Sequence, residues 1–262
     1  MINQRWRERR ESYRPAEPIA THLHEVAALD ELSAKTFVTT HHYSGTYPAA
    51  RFRFGLYERG ELVGVAVFSH PCNDAVLTGV FPIPATHAVE LGRFVLLDRV
   101  AGNGESWFVA RCFELLRKDV AGIISHADPV ARSTADGRVI HPGHVGCIYQ
   151  ATNAVYLGRT KRRTLLVLPD GTVFSERAVQ KIRNGERGWK HAAAKLERFG
   201  AAPLELGDSR AWLGAWLPQL ARPLRHGGNI RYAWAFNRAL RRGLVSAGPY
   251  PKLRDESQAV AA

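Results

Sequence analysis

The chain has 262 residues, 45% of them hydrophobic and 23% charged, with a formal net charge of +12. It is long enough for one large domain, or a domain plus an appendage; no apolar run approaches the ~20 residues that span a bilayer, and the charged start Met-Ile-Asn-Gln-Arg-Trp-Arg has no apolar stretch behind it to make a secretory signal. Cys72, Cys112 and Cys147 are odd in number and far apart, which argues against a disulfide framework or a Cys-x-x-Cys zinc knuckle, so a reducing cytoplasm is expected.

The charge is uneven. Residues 1–158 hold 16 Lys/Arg against 16 Asp/Glu, and residues 159–262 hold 20 against 8, so the whole excess lies in the last 104 residues. Trp189, Trp212, Trp216, Tyr232, Trp234 and Phe236 lie among those arginines. A basic, aromatic segment of this kind points to a polyanion, because basic groups displace counterions from phosphates.

In chain order, residues 1–18 read as a polar arm. Ile19 to Lys35 reads as a helix with Val26, Leu29 and Leu32 on one side. His41 to Pro48 is a polar loop. Arg51–Glu58 and Glu61–Ser69 read as strands joined by a tight Arg59-Gly60 turn. Pro82 and Pro84 mark a break, and Val89–Asp98 reads as a third strand. After a Gly-rich turn, Trp107–Lys118 reads as an amphipathic helix with Phe108, Cys112, Leu115 and Leu116 inward. Val120–Ser125 is a short strand and residues 145–157 a helix. Thr164–Phe174 is a hairpin turned at Pro169-Asp170-Gly171, Ser175–Phe199 is helical with interruptions at Gly185 and Gly188, and a Trp/Arg-rich tail follows. This is an α/β order. It resembles the GNAT type of acyltransferase fold, which implies a central mixed sheet flanked by helices, here with a basic helical C-terminal extension. The expected division is an arm at 1–18, a core at 19–175 and an extension at 176–262.

The stretch from Ser125 to Gly158 is the most informative. Ser125, His126 and Asp128 stand at the exit of the 120–125 strand, closed by Pro129. Open α/β sheets place ligand sites at the carboxyl ends of such strands. Tyr149 and Tyr156 follow seven residues apart. Ser125 and Tyr149 could hydrogen-bond a base edge or donate a proton. Asn103 and Ser106 stand where a cofactor phosphate or carbonyl would meet a helix start, although Ser106 is also a plausible cap. In the GNAT resemblance that turn binds pyrophosphate; here it lacks the usual Arg/Gln-Gly-x-Gly spacing and carries Glu105, so acetyl-CoA or a related donor is an open expectation. Arg93 either pairs with Glu90 or faces the site.

Four blocks resemble the bacteriophage Mom family of DNA modification proteins. They are Glu90-Leu91-Gly92-Arg93-Phe94 with Asn103 and Ser106, Ser125-His126-Ala127-Asp128-Pro129, Gly146-Cys147-Ile148-Tyr149-Gln150-Ala151-Thr152-Asn153, and His226-Gly227-Gly228-Asn229-Ile230-Arg231-Tyr232. The resemblance covers about residues 38–242. It implies transfer of a methylcarbamoyl group to the exocyclic amine of adenine in double-stranded DNA, which shields phage DNA from restriction in the host cytoplasm. It also implies iron, with His42, Tyr43 and Asp128 as ligands, a nitrogen and oxygen donor set that suits iron. Tyr43 then counts with Ser125, Asp128 and Tyr149 among the catalytic candidates.

Chemistry on an adenine amine calls for base flipping. Tyr43, Tyr47 and Trp107 are candidate clamps. Arg162, Arg163, Lys181, Arg183, Lys190 and Arg231 are the leading phosphate candidates, with Arg159, Lys161, Arg187, Arg238, Arg241 and Arg242 beside them; such contacts position a protein without reading sequence. Two alternatives stand beside this reading, a GNAT-type N-acyltransferase acting on another amine and a non-enzymatic DNA-binding protein.

Overall fold

The computed structural model describes residues 18–205 and 208–252, so the arm expected at 1–18 lies outside the described residues except for Pro18. In chain order the strands and helices are β1 (His24–Ala28), α1 (Glu31–His41), β2 (Ala50–Glu58), β3 (Glu61–Ser69), α2 (Ala75–Thr78), β4 (Ala88–Leu96), α3 (Gly104–Leu116), β5 (Gly122–Ala127), β6 (Arg132–Ser133), β7 (Val139–His141), α4 (Cys147–Ala151), β8 (Val155–Arg159), β9 (Arg163–Val167), β10 (Val173–Phe174), α5 (Glu176–Asn184), α6 (Trp189–Glu197), α7 (Ser209–Leu220), β11 (Arg222–His226), β12 (Ile230–Ala235) and α8 (Arg238–Gly243). Among the described residues no helix is long and apolar enough to cross a membrane.

Two compact units share the chain. The first holds the described residues up to 128, then 144–159, then 229 onward; the second holds 129–143 and 160–228. The units are interleaved, so the division at 175/176 does not hold. The reason is strand pairing: β12, far along the chain, completes the first unit's sheet by pairing with both β5 and β8.

The first unit is built on a seven-stranded sheet in the order β1-β2-β3-β4-β5-β12-β8. Only β4 and β5 run parallel, joined through α3 as a parallel crossover requires; the sheet is therefore mixed. The β2–β3 hairpin forms as expected, because Arg59 and Gly60 take φ of 50° and 84°, the left-handed pair that a tight hairpin turn needs. Side-chain alternation along β3 covers both faces. Phe68 joins Phe108, Cys112 and Leu116 of α3, whereas Val65 and Val67 join Phe37 and Val38 of α1.

Several local expectations fail. Residues 24–28 form a strand paired with β2, not a helix, and the helix begins only at Glu31, where Asp30 accepts a hydrogen bond from the Ser33 amide at 2.9 Å. Leu32 is accordingly exposed, as is Leu115 on the outer side of α3. The helix expected at 145–157 stops at Ala151, since Asn153 adopts φ 58° and turns the chain into β8. The expected tail is an ordered helix capped by Asp208, two strands and a further helix.

The second unit packs α5, α6 and α7 around a core that includes Phe174, Ile182, Leu196 and Leu213. A three-stranded antiparallel sheet, β10-β9-β11, joins it, and the hairpin turn at Pro169-Asp170-Gly171 forms as expected. Gly228 closes this unit with φ 97°, and a Cβ there would lie 2.0 Å from the Thr160 carbonyl oxygen. Gly228→Ala therefore combines left-handed strain with a backbone clash, and we expect it to lower unfolding stability by at least about 2 kcal/mol. Chemical denaturation measures this; a wild-type midpoint would mean that the loop can shift to admit a methyl group.

Candidate functional site

β4 and β5 pair at only three positions, Ala88–Gly122, Val89–Ile123 and Glu90–Ile124. Beyond these the parallel ladder ends, and polar side chains occupy the place where the two strands stop pairing. Glu90 accepts from or pairs with His126 Nδ1 at 2.8 Å, with both side chains about a fifth exposed. Ser125 is buried and donates its hydroxyl to the Leu91 carbonyl at 3.0 Å. Tyr149, delivered by α4, sits beside Ser125. Burial pushes its phenol above the usual range; a hydrogen bond with Ser125 opposes the shift, Glu90 adds to it and Arg93 opposes it. Burial therefore keeps the Tyr149 phenol protonated at neutral pH.

Arg93 connects this cluster to the loop after α1. Its Nε donates to the Thr46 carbonyl at 2.9 Å, Nη2 to the Thr46 hydroxyl at 2.7 Å and Nη1 to the Gly92 carbonyl at 2.5 Å. Burial lowers its pKa, while Tyr43, Glu90 and Tyr149 favour its charged form. A guanidinium keeps its charge in any case, so Arg93 places a fixed positive charge beside two phenols and a carboxylate. The choice between pairing with Glu90 and facing the site dissolves: Arg93 is spent on the loop and senses Glu90 at longer range.

That loop carries two of the three expected metal ligands, His42 and Tyr43; Asp128 follows β5. His42 is 7% exposed. Its Nδ1 accepts from the Ser44 amide at 3.1 Å and lies 2.9 Å from the Ser44 hydroxyl. The Tyr43 ring lies 4.2 Å from the His42 ring and 6.3 Å, edge-on, from that of His144. His144 in turn lies 6.5 Å, edge-on, from Tyr149, and its amide donates to the Asp128 carbonyl at 2.8 Å. The chain of contacts therefore brings His42, Tyr43, Asp128, Ser125 and Tyr149 into one neighbourhood. His144 was missed by sequence reasoning; the only signal was its place in the Gly/His-rich loop ahead of α4.

The donor set fits iron in kind. The Ser44 amide donates to Nδ1, which puts the neutral ring's proton on Nε2; to ligate a metal through Nε2 the ring would have to change tautomer and turn Nδ1 into a donor, toward the Ser44 hydroxyl for example. Among the described residues no three His, Cys, Asp or Glu side chains gather as a metal site. A site made of His42, Tyr43 and Asp128 would need the Tyr43 phenolate as its third donor.

Other candidates fall elsewhere. Asn103 does not cap α3; its Oδ1 accepts from the Ile19 amide at 2.6 Å, and the Ser106 hydroxyl donates to the Asn103 carbonyl at 3.0 Å. Asn103 and Ser106 thus both have partners within the protein, Asn103 across the chain and Ser106 within the turn, and Glu105 adds a negative charge to the first turn of α3, which disfavours a phosphate there. Trp107 packs on the main core, stacked by Arg111 and edge-on to His24. Tyr47 packs with the α1-side core. Of the three candidate clamps, Tyr43 is the one linked by ring contacts to Tyr149, through His144. Arg231 is half-buried on β12 and donates to the Leu157 carbonyl at 2.7 Å, a structural role. Arg162, Arg163, Arg183 and Lys190 are exposed, and Lys181 half-exposed, all on the second unit. That unit also holds a cavity lined by Leu166, Val179, Leu213 and Leu217 with Arg183 and Arg210. Its lining has no carboxylate, imidazole or hydroxyl side chain.

A family model described as the Mom protein family matches residues 24–210. No curated protein matches the sequence. Solved structures that are similar include two acetyltransferase-like proteins. One is a tandem GNAT protein from the clavulanic acid biosynthesis pathway, without AcCoA, at 13% identity and TM-score 0.36; the alignment covers 67% of this chain and 64% of that one, so this chain spans less than two thirds of that protein. The other is a putative acetyltransferase from Pyrococcus horikoshii, at 11% identity and TM-score 0.38, covering 86% of this chain and 94% of that one.

Proposed function

Because the chain belongs to the Mom protein family, we propose that it is a phage-type DNA-modifying transferase that adds a methylcarbamoyl group to the exocyclic amine of adenine in double-stranded DNA and so protects that DNA from restriction. The observation that carries this reading is the cluster where β4 and β5 cease to pair: a protonated Tyr149 against Ser125, a His126–Glu90 pair, and Arg93 holding the Tyr43 loop. As the N–C bond forms at the adenine amine, the group's bond to its donor breaks and the donor leaves with that electron pair, while the amine gives up one of its two protons. Glu90 fixes the His126 ring through Nδ1, which leaves Nε2 to accept a proton. Tyr149, held protonated by burial, donates a hydrogen bond to the incoming group or to the ring nitrogen of the flipped base. Tyr43, half-buried on the loop that Arg93 tethers, offers an aromatic face for that base.

His42, Tyr43 and Asp128 would hold iron, which when bound supplies Lewis-acid or one-electron chemistry. The engaged turn at Asn103–Ser106 gives no support to acetyl-CoA as the donor of the added group. The reaction is placed in the host cytoplasm, where phage DNA meets restriction enzymes.

The basic second unit supplies phosphate contacts. Exchanging Arg162 and Arg163 for Glu is expected to weaken duplex binding and to flatten its salt dependence, by about one unit of the log–log slope for each phosphate left unneutralised. Titration over a range of salt concentrations reads this directly, and an unchanged slope would remove these residues from the interface. The reading itself is tested by expressing the chain in bacteria and challenging their genomic DNA with adenine-sensitive restriction endonucleases. Resistance is expected, and full digestion speaks against it.

A further inference from the structure

In the second unit α5 and α6 are joined by four residues, Gly185 to Gly188, of which the first and last take left-handed φ of 61° and 88°. The exit from α5 is a Schellman turn: the Glu186 amide donates to the Lys181 carbonyl at 3.0 Å and the Gly185 amide to Ile182 at 3.3 Å. The Trp189 amide then bonds the Glu186 carbonyl at 2.9 Å, starting α6 at once. A four-residue glycine turn between two helices is the connection that a helix-turn-helix uses. Ile182 of α5 and Ala192, Ala193 and Leu196 of α6 enter the common core, with Leu213 of α7 as the third support.

The outer face of α6 is unlike its inner one. Lys190, His191, Ala194 and Lys195 are all exposed, on one stripe of the helix, and no acid lies among them. Arg187 precedes the stripe and Arg198 follows it, the latter turned back to Asp170 at 3.3 Å. The single acid of the turn, Glu186, is paired with Arg177 at 2.5 Å and accepts from Asn184 at 3.1 Å, so its charge is offset within the motif. Ala194 at the centre of the stripe keeps the middle of the helix low. A nine-residue helix is about 13.5 Å long, and the B-DNA major groove is about 12 Å wide.

We infer that α5 and α6 form a helix-turn-helix whose second helix enters the major groove of duplex DNA and sets the sequence preference of this protein. The inference rests on the reading of duplex DNA as the substrate. In this docking Lys190 and His191, at the start of α6, meet base edges; a lysine there favours guanine N7 and O6. Ala194 meets an apolar edge such as a thymine methyl, and Arg187 and Lys195 meet phosphates.

The test is selection of binding sites from randomised duplex DNA by the full chain, with affinity measured in parallel on the selected sequence. All the substitutions are at exposed positions of a helix and use good helix formers, so the fold is kept. Ala194→Glu is expected to lower duplex affinity at least about tenfold through charge repulsion in the groove, whereas Ala194→Lys keeps it. His191→Ala is expected to keep most of the affinity but to change the selected sequence at one or two positions. The inference is overturned by an unaltered selected sequence in His191→Ala, by wild-type affinity in Ala194→Glu, or by single-stranded RNA displacing the duplex at equal concentration, which would mark a general polyanion surface. Selection reads binding alone. A chain that selects a sequence through α6 but leaves adenine unmodified supports the helix and defeats the modification reading; the reverse result defeats the helix only.

Discussion

Replacing Tyr149 by Phe is expected to slow adenine modification by about 10²–10⁴-fold, the range of a missing proton-donating group. The substitution removes one hydroxyl. The ring keeps its edge-on packing on Tyr232, Trp234 and His144, so the fold should survive. What disappears is the hydrogen bond shared with Ser125 and a phenol that burial keeps protonated. The variant's thermal midpoint should stay near that of the wild type, and the amount of modified adenosine in expressing cells should collapse. Wild-type modification in Tyr149→Phe would reduce the residue to core packing. Tyr232 is the natural control: burial raises its phenol to about 12, but its hydroxyl is committed to the Val145 carbonyl at 2.5 Å, so Tyr232→Phe should alter stability more than activity.

Asp128→Ala is expected to abolish modification while the protein stays folded. The residue leaves β5 beside Ser125 and His126, and its carbonyl, which the substitution preserves, receives the His144 amide. Only the carboxylate is removed. If that carboxylate holds iron with His42 and Tyr43, purified Asp128→Ala and His42→Ala both carry less iron than the wild type, and a tyrosinate colour present in the wild type fades in Tyr43→Phe. Equal iron in all variants, or none in the wild type purified without chelator, would leave Asp128 to act by hydrogen bonding alone. Modification at the wild-type level would make it a turn residue ahead of Pro129.

Features that depend on near neighbours were legible in the sequence. Arg59-Gly60 fixes its hairpin because two left-handed residues leave the chain few other turns. Gly185 and Gly188 mark the ends of α5 and α6 for the same reason. The polar exit of β5 was readable, since a short apolar run ending in Ser125, His126 and Asp128 describes a strand end by itself. Features set across the chain were not. The Val26, Leu29 and Leu32 spacing imitates a helix, but pairing with β2 satisfies residues 24–28 as a strand. β12 cannot be assigned to the first sheet without knowing that β5 and β8 leave a gap of one strand. The same limit applies to the site. Glu90 meets His126 across 36 positions and Arg93 meets Thr46 across 47, so neither pairing has a local signature. Asn103 and Ser106 show how a residue type leaves its partner open: both suit a cofactor phosphate, yet Asn103 equally suits the Ile19 amide 84 positions away and Ser106 the carbonyl of its own turn.

The central claim is that this chain modifies adenine in DNA. The most direct test is to express it in bacteria, digest the genomic DNA to nucleosides and resolve them by mass spectrometry. An adenosine species heavier by one methylcarbamoyl group is expected in cells carrying the wild-type chain, and its absence from cells carrying Tyr149→Phe or Asp128→Ala. Unmodified adenosine alone, from cells with abundant soluble protein, would contradict it.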